Sequence, residues 1–167
     1  MIVRLTRLDP VQMEPLLEAS QREGFRFLAR LWDEWARGTN RFEQPGEGLF
    51  GLVASGELVG VGGINRQNRS TGRLRRFYIL PLHRRRGWGS RLLRHILSYA
   101  AGHFRWIVLR TDKASADRFY RACGFRRIRD SRDATHRREL ARAEPGCSRQ
   151  RRGGASVGYR TTSARRA

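Results

Sequence analysis

Two cysteines, Cys123 and Cys147, stand in 167 residues, and lysine occurs once, at Lys113. So few thiols argue against a disulfide-stapled secreted domain and lead us to expect a reducing, cytoplasmic setting. No apolar run approaches the roughly 20 residues that span a bilayer, so no membrane partner is expected. Arg4, Arg7 and Asp9 interrupt the first ten residues, which leaves no signal-peptide core there. No internal repeat of the solenoid, collagen or coiled-coil kind is visible. No Cys and His grouping has metal-ligand spacing, so no metal is expected. Acidic residues are scarce as well, 15 against 35 basic, which gives a formal net charge of +20.

That charge favours anionic partners: nucleic acid, acidic lipid or a polyphosphate cofactor. The basic residues beyond Lys113 are all arginine. Composition shifts near residue 143. From Ala143 to Ala167 there are six arginines, one glutamate and no Leu, Ile, Phe, Met or Trp. Such a segment buries too little apolar surface to offset its ordering entropy, and it is expected to be a disordered basic tail. It is also where nucleic acid would bind, if anywhere. Residues 1–142 are then one folded domain, basic in its own right.

The domain opens with a strand, Ile2 to Leu5. Asp9-Pro10 supplies an N-cap and a first-turn proline for a helix whose apolar face is Met13, Leu16, Leu17 and Ser20. Gly24 breaks it. Leu28, Leu31, Trp32 and Trp35 then mark a second helix. Leu49–Ala54 and Leu58–Ile64 read as a hairpin around Ser55-Gly56-Glu57, and Gly60, Gly62 and Gly63 in its second arm signal a bulge or close backbone approach. Asn65–Gly72 reads as a polar loop, Leu74–Leu80 as a strand, and Ser90–Ala101 as an amphipathic helix after a glycine-bearing loop. Trp106–Leu109 reads as a buried strand. Ser115 is the expected N-cap of a helix carrying Ala116, Phe119, Tyr120 and Cys123 and stopped by Gly124. Phe125–Arg129 and Thr135–Leu140 are expected as short final strands. The order predicts an α/β (α+β) fold: a mixed central sheet with helices on both faces.

The stretch with chemical content is strand, loop and helix: FYILPLHRRRGWGSRLL, residues 77 to 93. A helix start carries unpaired N–H groups and partial positive charge, and Gly87 and Gly89 let backbone crowd round an anion. Arg84, Arg85 and Arg86 add charge at its mouth. No Gly-Lys-Ser/Thr follows and a third glycine is missing, so this is neither a P-loop nor a dinucleotide fingerprint. A tight strand-to-helix turn beside solvated arginines is the alternative reading of the same residues.

Arg84-Arg85-Arg86-Gly87-Trp88-Gly89 resembles the acyl-CoA-binding motif of the GNAT superfamily of N-acetyltransferases. Pro81 before it, the Leu92-Leu93 helix after it and Phe119-Tyr120-x-x-x-Gly124-Phe125 resemble the family's neighbouring blocks in the correct order. The resemblance implies splayed strands, Leu74–Leu80 and Trp106–Leu109, forming a V-shaped slot for acetyl-CoA. It implies that the backbone of Phe77, Tyr78 and Ile79 holds the pantetheine arm. The loop, Arg84, Arg85, Arg86, Gly87, Trp88, Gly89 and Ser90, would hold the pyrophosphate. Tyr120 matches the proton donor to the leaving thiolate, and Ile79 the oxyanion-binding N–H. Residues that many relatives fill with Glu or Asn are here Arg73, Val108 and Lys113, so no general base transfers. Asp112, Glu43 and Glu47 are the nearby carboxylates, each more readily read as a solvated charge. His83 is expected beside phosphate or solvent, His136 near the acceptor pocket, and Trp32, Trp35 and Phe42 either in that pocket or in the core. The acceptor expected is a small-molecule or peptide amine, anionic or neutral rather than polycationic given the arginine excess, and the enzyme a monomer or homodimer. The competing expectation is a catalytically weak CoA-fold module whose basic surface and tail bind nucleic acid or another polyanion.

Overall fold

The computed structural model describes residues 1–140; the expected tail, 143–167, lies outside the described residues. The elements are β1 (Ile2–Arg4), α1 (Pro10–Arg22), α2 (Phe27–Ala36), β2 (Gly48–Ala54), β3 (Glu57–Arg66), β4 (Thr71–Ile79), α3 (Trp88–Ala101), β5 (Trp106–Leu109), α4 (Ala114–Ala122), β6 (Arg126–Arg127) and β7 (His136–Glu139). A single 3-10 turn, Pro81–His83, leads from β4 toward α3. The seven strands form one sheet in the order β1-β2-β3-β4-β5-β7-β6, with β4 and β5 parallel and the other neighbours antiparallel.

Local chemistry accounts for most boundaries. The Asp9 carboxylate accepts from the N–H groups of Val11 and Gln12 at 2.9 and 3.4 Å, and Pro10 occupies the first turn of α1. Met13, Leu16, Ala19 and Ser20 are the buried stripe of that helix. With Leu28 and Leu31 of α2 they cover one sheet face, against Leu49, Leu58, Val61 and Tyr78. On the other face Leu92, Leu93, Ile96, Leu97 and Ala100 of α3 pack against Phe50, Leu52, Ile64, Leu74, Ile79, Ile107 and Leu109. Tyr120 of α4 and Phe125 join that second core.

Three expectations are corrected. The polar loop shrinks to residues 67–70, because β3 continues through Arg66, which pairs with Gly72 at the start of β4. Strand polarity is tolerated there because Asn65 bonds the Asn40 side chain and the Arg66 N–H bonds the Glu47 carboxylate. Lys113, not Ser115, is the N-cap of α4, with no side-chain cap bond. The Thr111 hydroxyl accepts from the Lys113 N–H at 3.3 Å and turns the chain two residues early. The sixth strand keeps only Arg126 and Arg127.

Two features of the sheet shape the cleft. β3 and β4 lose one residue of register between Val61 and Gly63, where Arg76 takes φ +57°. That is a bulge in β4 facing the glycines of β3. On its other side β4 pairs with β5 only over Thr71–Arg73, against Trp106–Val108. Beyond Arg73 the two strands part, and Leu74–Ile79 form one limb of a V.

Candidate active site

Strand alternation sets what β4 offers that opening. Leu80 donates to the Val59 carbonyl, so Val61 and Tyr78 exchange hydrogen bonds and the Gly60–Ile79 pair between them does not. The Ile79 N–H therefore faces away from β3, toward the gap. The Tyr78 side chain goes to the α1/α2 face, where its hydroxyl donates to Glu23 and its ring packs edge-on against Phe25 and Phe27. Burial and the adjoining Glu23 raise the pKa of that phenol. The Phe77 ring lies on the opposite face, stacked on Phe119 with centroids 5.8 Å apart.

At the wide end of the V, α3 begins. Its N-cap is Gly87 at φ +78° and Arg85 stands at φ +60°, so left-handed residues alternate with ordinary ones and turn successive N–H groups to one side. The first helical bond is Arg91 N–H to Gly87 O, 3.0 Å. The six N–H groups from Arg85 to Ser90 have no acceptor among the described residues. A β-carbon at Gly89 would lie 3.5 Å from the Phe119 ring and 3.8 Å from Ile79 Cγ1, filling the gap between α4 and β4. An anion with a chain extending into the V fits this cradle, as a diphosphate joined to pantetheine would.

The arginines at its mouth differ. Arg85 and Arg86 are exposed. Arg84 is tied down: its N–H bonds Pro81 O, its Nε bonds Ile79 O at 2.8 Å, and its guanidinium grips both Glu23 oxygens at 2.6 Å. The Arg84 hydrogen bond holds the Glu23 carboxyl below the usual carboxylate range. This Arg84–Glu23–Tyr78 group links the loop to α1, across 61 residues of sequence.

Tyr120 comes from α4 and meets the β4 limb at Phe77. Its ring lies 6.2 Å from Phe77, 5.2 Å from Phe119 and 5.7 Å from Phe125, centroid to centroid. The side chain is buried, yet the hydroxyl has no partner among the described residues and is not sealed from solvent. Burial, with Cys123 second, raises its pKa, so the phenol holds its proton. Beside it His136 is buried between Asp117 and Thr135: Nε2 to the carboxylate at 2.9 Å and Nδ1 to the hydroxyl at 2.9 Å. Arg127 Nε also donates to Asp117, and first this bond, then that of His136, pulls the carboxyl down to about 2.

The remaining carboxylates divide. Asp112 and Glu43 are exposed, as expected. Glu47 is not a solvated charge: it is buried, and its oxygens accept from the Gln44 and Arg66 N–H groups. It pins the loop before β2. Phe42 is core, against Gly63, while Trp32 and Trp35 are half-buried on α2. His83 lies half-buried in the 3-10 turn.

A family model for acetyltransferases of the GNAT family matches residues 7–125. The chain belongs to the GNAT acetyltransferase family. It is an acyl-CoA-dependent N-acetyltransferase, and both the family and the fold anticipated in the sequence hold. The chain is 30% identical, over 128 residues, to the N-alpha-acetyltransferase RimI of Mycobacterium tuberculosis, which covers 72% of this chain and 81% of that one. A crystal structure assigned as an acetyltransferase, from Exiguobacterium sp. 255-15, shares 30% identity at a TM-score of 0.74, covering 83% of this chain and 92% of that one. A GNAT acetyltransferase from Elizabethkingia anophelis, solved with acetyl-CoA bound, shares the fold at 15% identity and a TM-score of 0.59, covering 84% and 97%. Among the described residues no helix is long and apolar enough to cross a membrane.

Two groups at this GNAT site were missed in the sequence. The Glu23–Arg84 pair and the Asp117–His136–Thr135 chain join residues far apart in number. Only Asp117, a carboxylate on an otherwise apolar helix face, carried a local signal.

Proposed function

We propose that the enzyme transfers an acetyl group from acetyl-CoA to a primary amine by direct attack on the thioester. The N–H groups of Arg85, Arg86, Gly87, Trp88, Gly89 and Ser90 receive the pyrophosphate, and the backbone of Phe77, Tyr78 and Ile79 lines the pantetheine arm. The Ile79 N–H stabilises the oxyanion as the amine nitrogen bonds to the carbonyl carbon. When the carbon–sulfur bond breaks, the Tyr120 hydroxyl gives its proton to the departing thiolate. The attacking amine loses its extra proton to solvent, since among the described residues the carboxylates nearest the cleft are already engaged, Glu34 by Arg76 and Asn40 and Asp117 by Arg127 and His136. Arg84 serves through its side chain as a brace on Glu23 and Ile79 rather than as a free cation. Residues 1–142 constitute the catalytic unit.

The observation that carries this reading is the run of six N–H groups without an acceptor among the described residues, where the chain leaves β4, with the Tyr120 phenol, likewise without a partner among them, packed against Phe77 of the same strand. The likeness to an N-alpha-acetyltransferase supports a peptide α-amine as the acceptor. Mass spectrometry of amine and peptide pools incubated with acetyl-CoA tests the activity. Acetylated products that depend on the protein are expected, and no product from any pool would refute the reading.

A further inference from the structure

The α1/α2 side of the V is lined by arginine, and its charge is not balanced. The bulge in β4 sends two consecutive arginines toward α2. Arg76, with its side chain 4% exposed, reaches Glu34 on α2 at 2.7 Å. Glu34 also accepts from Asn40, which exchanges hydrogen bonds with Asn65, so this carboxylate is fully engaged. Even so, Arg76 Nε is buried without an acceptor. Arg75, opposite Gly63, is half-buried beside it, and no ion pair or hydrogen bond holds its guanidinium among the described residues. Arg73, two residues earlier on the same face, is the last β4 residue paired with β5 and so marks the point of the V. Its guanidinium donates to the Asp133 carbonyl. Arg30 lies one turn before Glu34 on α2. Burial, then the charges of Arg76, Arg73 and Arg30, lowers the Arg75 pKa, with Glu34 alone opposing. Among the described residues the cluster has more donors than acceptors, and it lies on β4, the limb of the V that also carries Ile79.

We propose that Arg75, backed by Arg73 and Arg30, binds a carboxylate of the acceptor, so that the preferred substrate is an amine carrying a negative charge. The proposal rests on the N-acetyl transfer argued above and names its acceptor class. A carboxylate matches the guanidinium fork with two parallel N–H···O bonds. It also relieves the mutual repulsion of the arginines, which a cationic acceptor would worsen. The carboxylate has two sources: an acidic side chain near a peptide N-terminus, or the α-carboxylate of a free amino acid.

The test uses the full chain, acetyl-CoA and matched acceptors. C-terminally amidated peptides with Glu, Gln or Lys as second residue probe the side-chain source, and alanine against alaninamide probes the other. In at least one pair the carboxylate form should have a KM about tenfold below its neutral partner. Arg75→Gln should erase that difference by raising KM for the carboxylate form alone, with kcat nearly unchanged. Its melting temperature should be no lower, because a repelled charge has gone. Arg30→Gln, on an exposed helix position, should weaken the same preference in part. Equal KM across charge, preference for Lys, or an Arg75→Gln loss shared by every acceptor would overturn the proposal while leaving N-acetyl transfer intact. If no amine is turned over, the activity reading fails. Calorimetric titration of the same acceptors then decides the carboxylate site by itself, since binding that ignores Arg75 removes it.

Discussion

Gly89 has space for a methyl group in the free protein, since the nearest atoms to a β-carbon there are at ordinary contact distance. The fold does not require the glycine; the cleft beside it does. Gly89→Val is therefore expected to melt near the parent protein and to lose measurable acetyl-CoA binding by calorimetry. Unchanged affinity in the folded variant would remove the cradle from the account. Asp117 makes a different residue-level forecast. Its folded pKa, about 2, lies below the ordinary 3.8, so its charge stabilises the fold above pH 4 and that contribution fades as pH falls toward 2. Asp117→Asn is the same shape without the charge. Its melting temperature should fall below the parent's from pH 7 to pH 5 and converge with it near pH 2. A gap independent of pH would mean that geometry, not charge, matters there.

Legibility in the sequence ended where contacts became distant. The Arg84–Ser90 loop is local: Gly87, Gly89 and a helix start lie within a few residues, so the motif shows its own structure. The apolar stripes of α1 and α3 are local too. The bulge at Arg76 is not, because a left-handed arginine carries no residue-type signal. Its trace lay in the partner strand. Gly60, Gly62 and Gly63 mark where β3 must let β4 come close, and a β-carbon on Gly60 would stand 2.4 Å from Ile79 Cδ1 and 3.0 Å from the Tyr78 carbonyl. Backbone does not yield as a side-chain tip does. Gly60→Ala is thus expected to cost about 1–3 kcal/mol in denaturant unfolding. It should also weaken acetyl-CoA binding by displacing the limb that carries Ile79. Full stability together with full affinity would show that the two strands have slack. Glu47 was misread for a related reason: two backbone N–H groups take the place of water around it, and neither neighbour is evident from its surroundings in the chain.

At the scale of the whole molecule, two cores clamp one sheet, and the sheet is left open where β4 and β5 part. The chain puts distinct chemistry on each side of that opening: backbone N–H groups at its mouth, a phenol from α4, and arginines under α2. The fold class and the family were legible because they rest on element order and on two motif blocks. The charge of the acceptor side was legible only in bulk, as an arginine excess favouring an anionic or neutral acceptor, because 34 arginines spread through the sequence conceal the few that converge. The central claim is that this opening is a catalytic cleft with Tyr120 as its acid. The most direct measurement compares Tyr120→Phe with the parent in acetyl transfer to the best acceptor, alongside a melting curve and an acetyl-CoA titration. Losing a general acid lowers turnover by about 10²–10⁴ while ground-state binding stays nearly constant. The hydroxyl has no partner to lose among the described residues, so the melting temperature should hold. Parental turnover in the folded variant would contradict the account and hand the proton to another donor.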